Sequence, residues 1–384
     1  MNLLTTTSTV AISVYALLST VHRSVQVLYA LPTNVSSPSG DVVNSDALPS
    51  VDVIVLCFNE DPRTLSACLK SIASQDYAGK LRVYVVDDGS GNLDAVAPVH
   101  DAYSDDPRFG FILLRKNVGK RKAQIAVIRR SSGDLVLNVD SDTIIAADVV
   151  TKLARKMQDP AIGAAMGQLT ASNRSDTWLT RLIDMEYWLA CNEERAAQAR
   201  FGAVMCCCGP CAMYRRSALL LLLDQYETQF FRGKPSDFGE DRYLTLDVVG
   251  QNLGPLLLAL SSLTALAQLA LTATVPWWAG LIIASMTVVR CSVAEFRARE
   301  LRFLGFSLRT LINIFLLLPV KAYALCTLSN SDWLSRQAAK LPNGGKAGRH
   351  PKSGRWTKCY RRSGNWWVNP KEGSFVCFFD VGNV

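Results

Sequence analysis

Short apolar runs alternate with polar, helix-type stretches over residues 51–245, and this pattern predicts an α/β domain. Val51–Phe58, Leu81–Val86 and Leu135–Val139 are β-branched or aliphatic runs of strand length, and a helical pattern begins near Thr64. Continuous apolar runs of this length, bounded by turn residues, are typical of buried strands. Strands that alternate with helices favour a mostly parallel sheet.

The longest apolar stretch lies outside that domain and predicts membrane helices. Residues 248–289 contain no charged side chain over 42 positions. At about 1.5 Å per helical residue this stretch spans roughly 63 Å, about twice a ~30 Å hydrocarbon core. We therefore predict two helices with a turn at Pro276, where Trp277 and Trp278 suit the membrane interface. A buried helix pair of a soluble protein is the alternative interpretation.

A third apolar segment follows within the predicted membrane region, residues 248–326. Phe303–Leu325 carries Arg309 near its start and Lys321 near its end. Both long side chains can reach the interface from a spanning helix, and an interfacial or re-entrant helix is the alternative. We therefore predict two to three helices in this region.

The N-terminal residues 1–30 form a predicted membrane anchor. Met1–Val21 contains no charged residue, and the segment has neither a basic start nor an evident cleavage site, so we expect it to be retained. Arg23 follows the apolar run and favours a cytoplasmic position for the domain behind it. Residues 31–50, rich in Pro, Ser, Asn, Asp and Gly, are the predicted linker to that domain.

The formal net charge of +8 comes from one end of the chain, which argues against a nucleic-acid partner. From Arg336 onward there are ten Lys and Arg residues and two acidic residues, so the rest of the chain is neutral. A nucleic-acid-binding domain carries its basic field on a folded surface. We therefore assign the excess to a basic tail, residues 327–384.

The cysteines are predicted to be reduced thiols. There are eleven, four of them crowded between Cys206 and Cys211, and a cytoplasmic domain does not accumulate disulfides. The sequence pattern of a thioredoxin-type redox motif occurs at Cys208-Gly209-Pro210-Cys211. In thioredoxin-like proteins this motif lies at the start of a helix in a small redox domain. It lies late in a large domain here, so we assign no redox role, and no zinc-site spacing surrounds it.

Acidic clusters at the ends of the predicted strands are the candidate chemistry. They are Asn59-Glu60-Asp61, Asp87-Asp88 and Asp140-Ser141-Asp142, and Gly239-Glu240-Asp241 follows later. In open α/β sheets ligands bind outside the carboxyl ends of the strands. A D-x-D pair on an extended turn directs both carboxylates to one side, and Mg²⁺ or Mn²⁺ prefers such oxygen ligands together with substrate phosphates. The order of the clusters therefore predicts a phosphate-containing substrate with a divalent metal.

These clusters resemble the family-2 glycosyltransferases of the hyaluronan, chitin and cellulose synthase branch. Within that branch they are most similar to the rhizobial N-acetylglucosaminyltransferases that make the chitin-oligosaccharide backbone of nodulation signals. The segments that carry the resemblance are Val51–Glu60, Val86–Ser90, Lys116–Lys122, Asp140–Asp142, Gly167–Thr170, Cys208–Pro210 and Phe238–Arg242. The resemblance implies a GT-A-type sheet domain and an inverting transferase in the bacterial plasma membrane. It also implies UDP-N-acetylglucosamine as donor and a growing β-1,4 chitin oligosaccharide as acceptor.

The same resemblance implies a role for each matching residue. The donor-binding residues would be Asn59, Glu60, Asp87, Asp88, Lys120, Lys122 and Asp140. Asp142, together with Asp140, would hold Mg²⁺ or Mn²⁺ at the diphosphate, and Lys120 or Lys122 would approach the uracil or the phosphates. Cys208, Gly209 and Pro210 would shape the acceptor site. Asp241 would be the general base that takes the acceptor proton.

One segment of the branch is missing from this chain. Active members carry Gln-x-x-Arg-Trp after the catalytic acid, whereas Asp241 and Arg242 are followed almost at once by the apolar stretch. The one Arg-Trp pair, Arg355-Trp356, lies in the basic tail and has Lys352 at the Gln position. An internal deletion after Arg242 with an altered C-terminus explains both features. Two alternatives stay open: a synthase of hyaluronan or another β-glycan, and an inactive remnant that retains UDP-sugar binding.

Overall fold

The computed structural model describes residues 17–18, 20–22, 24–30, 48–200, 202, 204–228, 230–231, 234–235, 277–299, 301–306 and 377–380. The predicted residue Asp241, the apolar stretch before Trp277 and most of the basic tail lie outside these ranges. The fold below is therefore that of the domain around residues 48–235 and of two helical segments beside it.

Strands and helices alternate along most of the described chain. Residues 24–30 form α1. The strands are β1 Val51–Cys57, β2 Leu81–Asp87, β3 Phe109–Leu113, β4 Leu135–Asp140, β5 Ile162–Met166, β6 Cys211–Arg215, β7 Phe230–Phe231, β8 Lys234–Pro235 and β9 Cys377–Asp380. The helices are α2 Pro62–Ala73, α3 Leu93–Asp101, α4 Lys120–Arg130, α5 Val149–Lys156, α6 Trp178–Leu189, α7 Ala196–Arg200, α8 Arg216–Glu227 and α9 Trp277–Ala298. A π-helical segment, Ala190–Arg195, joins α6 to α7, and Leu301–Phe306 forms a 3₁₀-helix.

The main sheet has seven strands in the order β3-β2-β1-β4-β6-β5-β9. The first four pair in parallel, and β6 enters antiparallel between β4 and β5. The edge strand β9 pairs antiparallel with β5. The prediction of an α/β domain with a mostly parallel sheet is confirmed, whereas the antiparallel strand β6 was not predicted.

Strand register brings the ends of β1, β2 and β4 to the same edge. Cys57 lies opposite Asp87 across the β1–β2 pair, and Leu56 lies opposite Asp140 across the β1–β4 pair. Parallel strands in such register deliver the loops that follow them to one side of the sheet. The acidic clusters predicted from the sequence therefore meet at one place.

Both faces of the sheet are covered, which explains why its strands are almost continuously apolar. Side chains of α2, α3 and α5 pack on one face, around Val53 and Leu137. Those of α4 and α8 pack on the other, around Ile54 and Tyr214. The alternation of Val53 and Ile54 between the two cores follows from the two-residue period of a strand.

A third cluster joins α6 to α9 and the 3₁₀-helix. Leu182, Met185 and Leu189 pack against Cys291 and Phe303. α6 also exposes large apolar side chains at its start, Trp178 and Leu179.

An ion-pair network reinforces the attachment of α9. Arg290 lies 2.7 Å from Glu193 and 2.9 Å from Glu194 of the π-helical segment, and Glu193 is almost completely buried. Within the described ranges no helix is both long and apolar enough to cross a bilayer. Apart from residues 277–299 and 301–306, the predicted membrane region, residues 248–326, lies outside the described part of the chain.

Asp52 provides a test of the sheet's anchoring. It is 2% exposed, and its Oδ2 accepts hydrogen bonds from the backbone nitrogens of Ser132 at 2.8 Å and Gly133 at 2.7 Å. We expect Asp52→Ala to lower the free energy of unfolding by about 1–3 kcal/mol because a buried amide loses its acceptor. Asp52→Asn, which keeps one acceptor oxygen, loses less.

The check is denaturant unfolding of the purified chain, with Asp105→Ala as the exposed control. We expect the control to stay within about 0.5 kcal/mol of the wild type. Equal stability of Asp52→Ala and the wild type would contradict the role given to Asp52.

Candidate active site

The loops that follow β1 and β2 are joined by side-chain hydrogen bonds. The backbone nitrogen of Asn59 donates to Ser90 Oγ at 2.9 Å, and Asn59 Oδ1 accepts from Gly91 N at 2.8 Å. Asn92 Nδ2 donates to the carbonyl oxygen of Glu60 at 2.9 Å. Asn59 has φ of 51°, a left-handed conformation that asparagine tolerates better than most residues. The predicted residue Asn59 therefore shapes the loop itself.

Glu60 connects the β1 loop to the D-x-D turn after β4. It is 5% exposed, and its Oε2 accepts a hydrogen bond from Ser141 Oγ at 2.6 Å. Its Oε1 accepts from the backbone nitrogen of Asp61 at 3.1 Å. A short hydrogen bond to a carboxylate is among the stronger ones in proteins. Glu60 thus fixes the residue between Asp140 and Asp142.

Asp88 binds the loop in front of α4. Its two carboxylate oxygens accept hydrogen bonds from Val118 N at 2.8 Å and Gly119 N at 2.9 Å. Burial raises the pKa of Asp88, with a smaller contribution from the charge of Asp87, against the lowering effect of the two amide donors. Both carboxylate oxygens of Asp88 accept hydrogen bonds from the protein, so Asp88 holds this loop beside the end of β2.

Asp87 lies beside Asp88 and is equally buried. Its Oδ1 accepts a hydrogen bond from Ser90 N at 2.7 Å. Its Oδ2 is buried without a hydrogen-bond partner in the described part of the chain. The turn that follows requires glycine: Gly89 has φ of +73°, and a Cβ there would lie 2.5 Å from the backbone of Lys116. Asp87-Asp88-Gly89 thus packs directly against the loop in front of α4, residues 116–119, which we call the lysine loop.

Lys120 is the lysine that reaches the acidic site. It is the first residue of α4, and its Nζ lies 3.1 Å from Asp140 Oδ1. Lys122 is exposed on the same helix and makes no ion pair with a described carboxylate. Of the two lysines that the sequence left open, Lys120 lies at the D-x-D turn, whereas Lys122 has no ion pair with a described carboxylate.

The D-x-D carboxylates are open enough to hold a divalent cation. Asp142 is exposed, and the Asp140 side chain is 30% exposed. No cluster of three or more acidic, histidine or cysteine ligands occurs among the described residues. Mg²⁺ is usually bound by one or two carboxylates together with substrate phosphates. The pair of aspartates therefore fits a cation that arrives with its nucleotide.

The acidic side chains of the site also influence a buried thiol, Cys68, that sequence reasoning missed. Cys68 on α2 donates a weak hydrogen bond to the carbonyl oxygen of Asp140 at 3.6 Å. Burial first, and then the charges of Asp142, Asp140 and Glu60, raise the pKa of Cys68 to about 12. Cys68 thus stays protonated beside the site. Ser90, Asn92 and Ser141 were missed as well, although each lies inside or directly after a predicted motif.

A small cavity brings the predicted acceptor segment next to the donor residues. Gly209 is buried, and Cys208 and Pro210 are partly exposed. The residues that line the cavity are Ile54, Leu56, Lys120, Gln124, Asn138, Val139, Asp140 and Gly209. Cys211 begins β6 instead of opening a helix, so the Cys-Gly-Pro-Cys segment lacks the geometry of a thioredoxin motif. The cysteines whose side chains the structure describes, which include Cys206, Cys207, Cys208 and Cys211, are free thiols.

Comparison with known proteins assigns the family. The profile of Glycosyl transferase family 2 matches residues 52–221, which include every donor residue described above. An N-acetylglucosaminyltransferase of Rhizobium sp. (strain N33) is 67% identical, covering 90% of this chain and 90% of that protein. The chain belongs to glycosyl transferase family 2. It is a glycosyltransferase, as the resemblance of its strand-end motifs implied.

Other relatives of this glycosyltransferase bear on its missing segment. The N-acetylglucosaminyltransferase of Sinorhizobium fredii (strain NBRC 101917 / NGR234) is 67% identical over 411 residues, covering 91% of this chain and 100% of that protein. That alignment is longer than the whole chain of 384 residues, so the relative contains residues that this chain lacks. This agrees with the internal deletion inferred after Arg242.

Among solved structures, the glycosyltransferase is similar to the mannosyltransferase PcManGT from Pyrobaculum calidifontis, solved with GDP-Man and Mn²⁺. The two are 18% identical, with a TM-score of 0.47, over 80% of this chain and 97% of that one.

Asp88→Asn tests how the lysine loop is held. Asparagine has one acceptor oxygen where aspartate has two, so one of the amides of Val118 and Gly119 loses its partner. We expect hydrogen exchange at these amides to speed up at least ten-fold. Asp94→Asn, an exposed change on α3, is the matched control and leaves the loop unaffected. Unchanged protection of the loop in Asp88→Asn would show that Asp88 does not hold it.

Proposed function

We propose that the chain transfers N-acetylglucosamine from UDP-N-acetylglucosamine to a growing chitin oligosaccharide, forming a β-1,4 linkage. The observation that carries this proposal is the joining of three strand-end loops by Glu60, Asp88 and Asn92 into one polar edge. The relatives at 67% identity are named N-acetylglucosaminyltransferases, which supports the choice of sugar. Hyaluronan or another β-glycan is the alternative product.

Lys120 is the residue of this chain that binds the diphosphate. In the ligand-free site its ammonium group is paired with Asp140, and both side chains are partly exposed. A partly exposed ion pair contributes little to stability, so Lys120 can exchange its carboxylate partner for a phosphate at small cost. Lys120 lies in the first turn of α4, where the positive end of the helix dipole also favours a bound phosphate.

Asp140 and Asp142 would hold the divalent cation, Mg²⁺ or Mn²⁺, that accompanies the diphosphate. When bound, the ion supplies a positive charge that stabilises the departing UDP. Glu60 keeps the turn between the two aspartates in place through Ser141. This positioning is complete before any ligand arrives, which lowers the cost of forming the productive complex.

Asp241 is the proposed general base on the acceptor side. Asp241 would take the proton of the acceptor hydroxyl as its oxygen attacks the anomeric carbon from the side opposite the departing UDP, and this single in-line displacement inverts the configuration. Gly209 lies in the cavity with Asp140 and Lys120, which supports an acceptor path past Cys208 and Pro210. Asp241 itself lies outside the described residues, and its role is a prediction from sequence.

The transferase is proposed to work at the bacterial plasma membrane, with its sheet domain in the cytoplasm. The uncharged residues 248–289 and Met1–Val21 support this location. So do large apolar side chains that α6 and α9 expose, with Trp178 at 65% and Phe296 at 85%. Exposed apolar groups of this size on neighbouring helices suit an interfacial position.

Membranes that contain the chain test the function with radiolabelled UDP-N-acetylglucosamine and Mg²⁺. We expect labelled chitin oligomers from the wild type and a loss of at least 100-fold in Asp241→Asn, because general base catalysis typically contributes 10²–10⁴-fold. Asp237→Asn, four residues earlier in the same segment, is the matched control and should retain product.

Two outcomes would contradict this account. Product formed equally well by Asp241→Asn would remove Asp241 as the base. Absence of product from the wild type, with UDP binding retained, would identify the chain as a donor-binding remnant that cannot complete transfer.

A further inference from the structure

Asn138 is a buried polar residue in the middle of β4 that the reaction described above does not use. It is 7% exposed, and both its Oδ1 and its Nδ2 have no hydrogen-bond partner among the described residues. Its neighbours in register are Ile54 on β1 and Ala212 on β6, neither of which has a polar side chain. The strands beside Asn138 therefore cannot satisfy its amide.

An unpaired buried amide is costly, so its presence points to an occupant. Burying such a group without a hydrogen bond costs about 1–3 kcal/mol by protein mutational data. The large majority of buried polar side-chain atoms have a partner, and exceptions often belong to functional sites. An aliphatic residue would pack better between Ile54 and Ala212 if stability alone selected the side chain.

A second amide, from Gln124 on α4, lines the same cavity. Gln124 is 2% exposed, and its Oε1 accepts a hydrogen bond from Tyr226 Oη at 2.8 Å. That bond uses the acceptor of Gln124 and fixes its side chain. Gln124 and Asn138 thus place two side-chain amides at the same cavity.

The cavity is part of the donor site and accepts one small group. Asp140 and Lys120 line it together with Asn138, while Ile54 and Leu56 supply apolar surface. Its volume of about 10 Å³ is roughly what one water-sized group requires. It cannot enclose a sugar ring, but it can take a single oxygen atom of a substituent.

We propose that Asn138 recognises the acetamido group of the donor sugar by donating a hydrogen bond to its carbonyl oxygen. The proposal rests on the proposed function, because it assumes an N-acetylhexosamine donor. Asn138 precedes Asp140 by two residues on the same face of β4, roughly 7 Å further from the strand end. The acetamido group is the longest equatorial substituent near the anomeric carbon, and it reaches deeper than a ring hydroxyl. Asn138 is thus a specificity-determining residue.

Binding of three ligands to the full-length chain with Mg²⁺ tests this assignment. The ligands are UDP, UDP-N-acetylglucosamine and UDP-glucose, and the variants are Asn138→Leu and the smaller Asn138→Ala. We expect both variants to bind UDP within two-fold of the wild type and UDP-N-acetylglucosamine at least ten-fold more weakly. UDP-glucose, which lacks the acetamido group, should change less than three-fold. Asn173→Leu, an exposed substitution, is the control.

The thermal midpoint of the ligand-free chain separates binding from folding. We expect Asn138→Leu to unfold at the same temperature as the wild type or higher, because the unpaired amide is removed. Unchanged affinity for UDP-N-acetylglucosamine would overturn the inference while leaving the proposed function intact. Equal losses for UDP-N-acetylglucosamine and UDP-glucose would also overturn it. If the wild type bound UDP-N-acetylglucosamine no more tightly than UDP, the proposed function would be overturned, and this inference with it.

Discussion

The carboxylate of Asp88 is the interaction on which the site depends. Asp88 directly follows β2, and both its carboxylate oxygens accept hydrogen bonds from backbone amides of the loop before α4, so one buried group joins two segments about thirty residues apart. Lys120 follows that loop immediately, and its distance from Asp140 is set by this attachment. Without Asp88, only the packing of α4 on the sheet would position Lys120. Gly89 is required because its backbone lies so close to that of Lys116 that a Cβ would not fit between them.

The charge balance of the site favours the binding of a cation. Glu60, Asp87, Asp88, Asp140 and Asp142 meet at one edge of the sheet, and Lys120 is the described cation that pairs with them. The high pKa of Cys68 has burial as its main cause and these acids as its second. A diphosphate brought to such an edge is repelled unless its charge is offset. A divalent ion held by Asp140 and Asp142 would provide that offset, and Lys120 would add to it.

Sequence patterns predicted the sheet domain closely, because its strands are buried on both faces. β1, β2 and β4 begin where the apolar runs begin, and the acidic clusters lie at their ends, as expected. The antiparallel insertion of β6 was beyond such reasoning, since a buried run of five residues does not reveal its direction. The site's connections were equally hidden. The sequence Asp87-Asp88 does not show that Asp88 accepts hydrogen bonds from backbone amides. Nor does any motif show that Glu60 accepts one from Ser141, more than eighty residues away.

In the predicted membrane region, residues 248–326, sequence patterns indicate less of the structure than they do in the sheet domain. Composition alone predicts apolar helices there, but the described helix α9 is held to the sheet domain by Arg290 and two glutamates. Such a buried ion pair depends on tertiary partners nearly a hundred residues away, which hydropathy does not record. The choice between Lys120 and Lys122 likewise needed coordinates, because the two side chains differ only in where α4 directs them.

The central claim is that the loops after β1, β2 and β4 act together as one nucleotide-sugar site. Hydrogen exchange of the full-length chain with and without UDP-N-acetylglucosamine and Mg²⁺ tests it most directly. The account predicts simultaneous protection of residues 58–61, 88–92, 116–120 and 140–143, with the far end of the sheet unchanged. Protection confined to one of these loops, or located elsewhere in the domain, would contradict it.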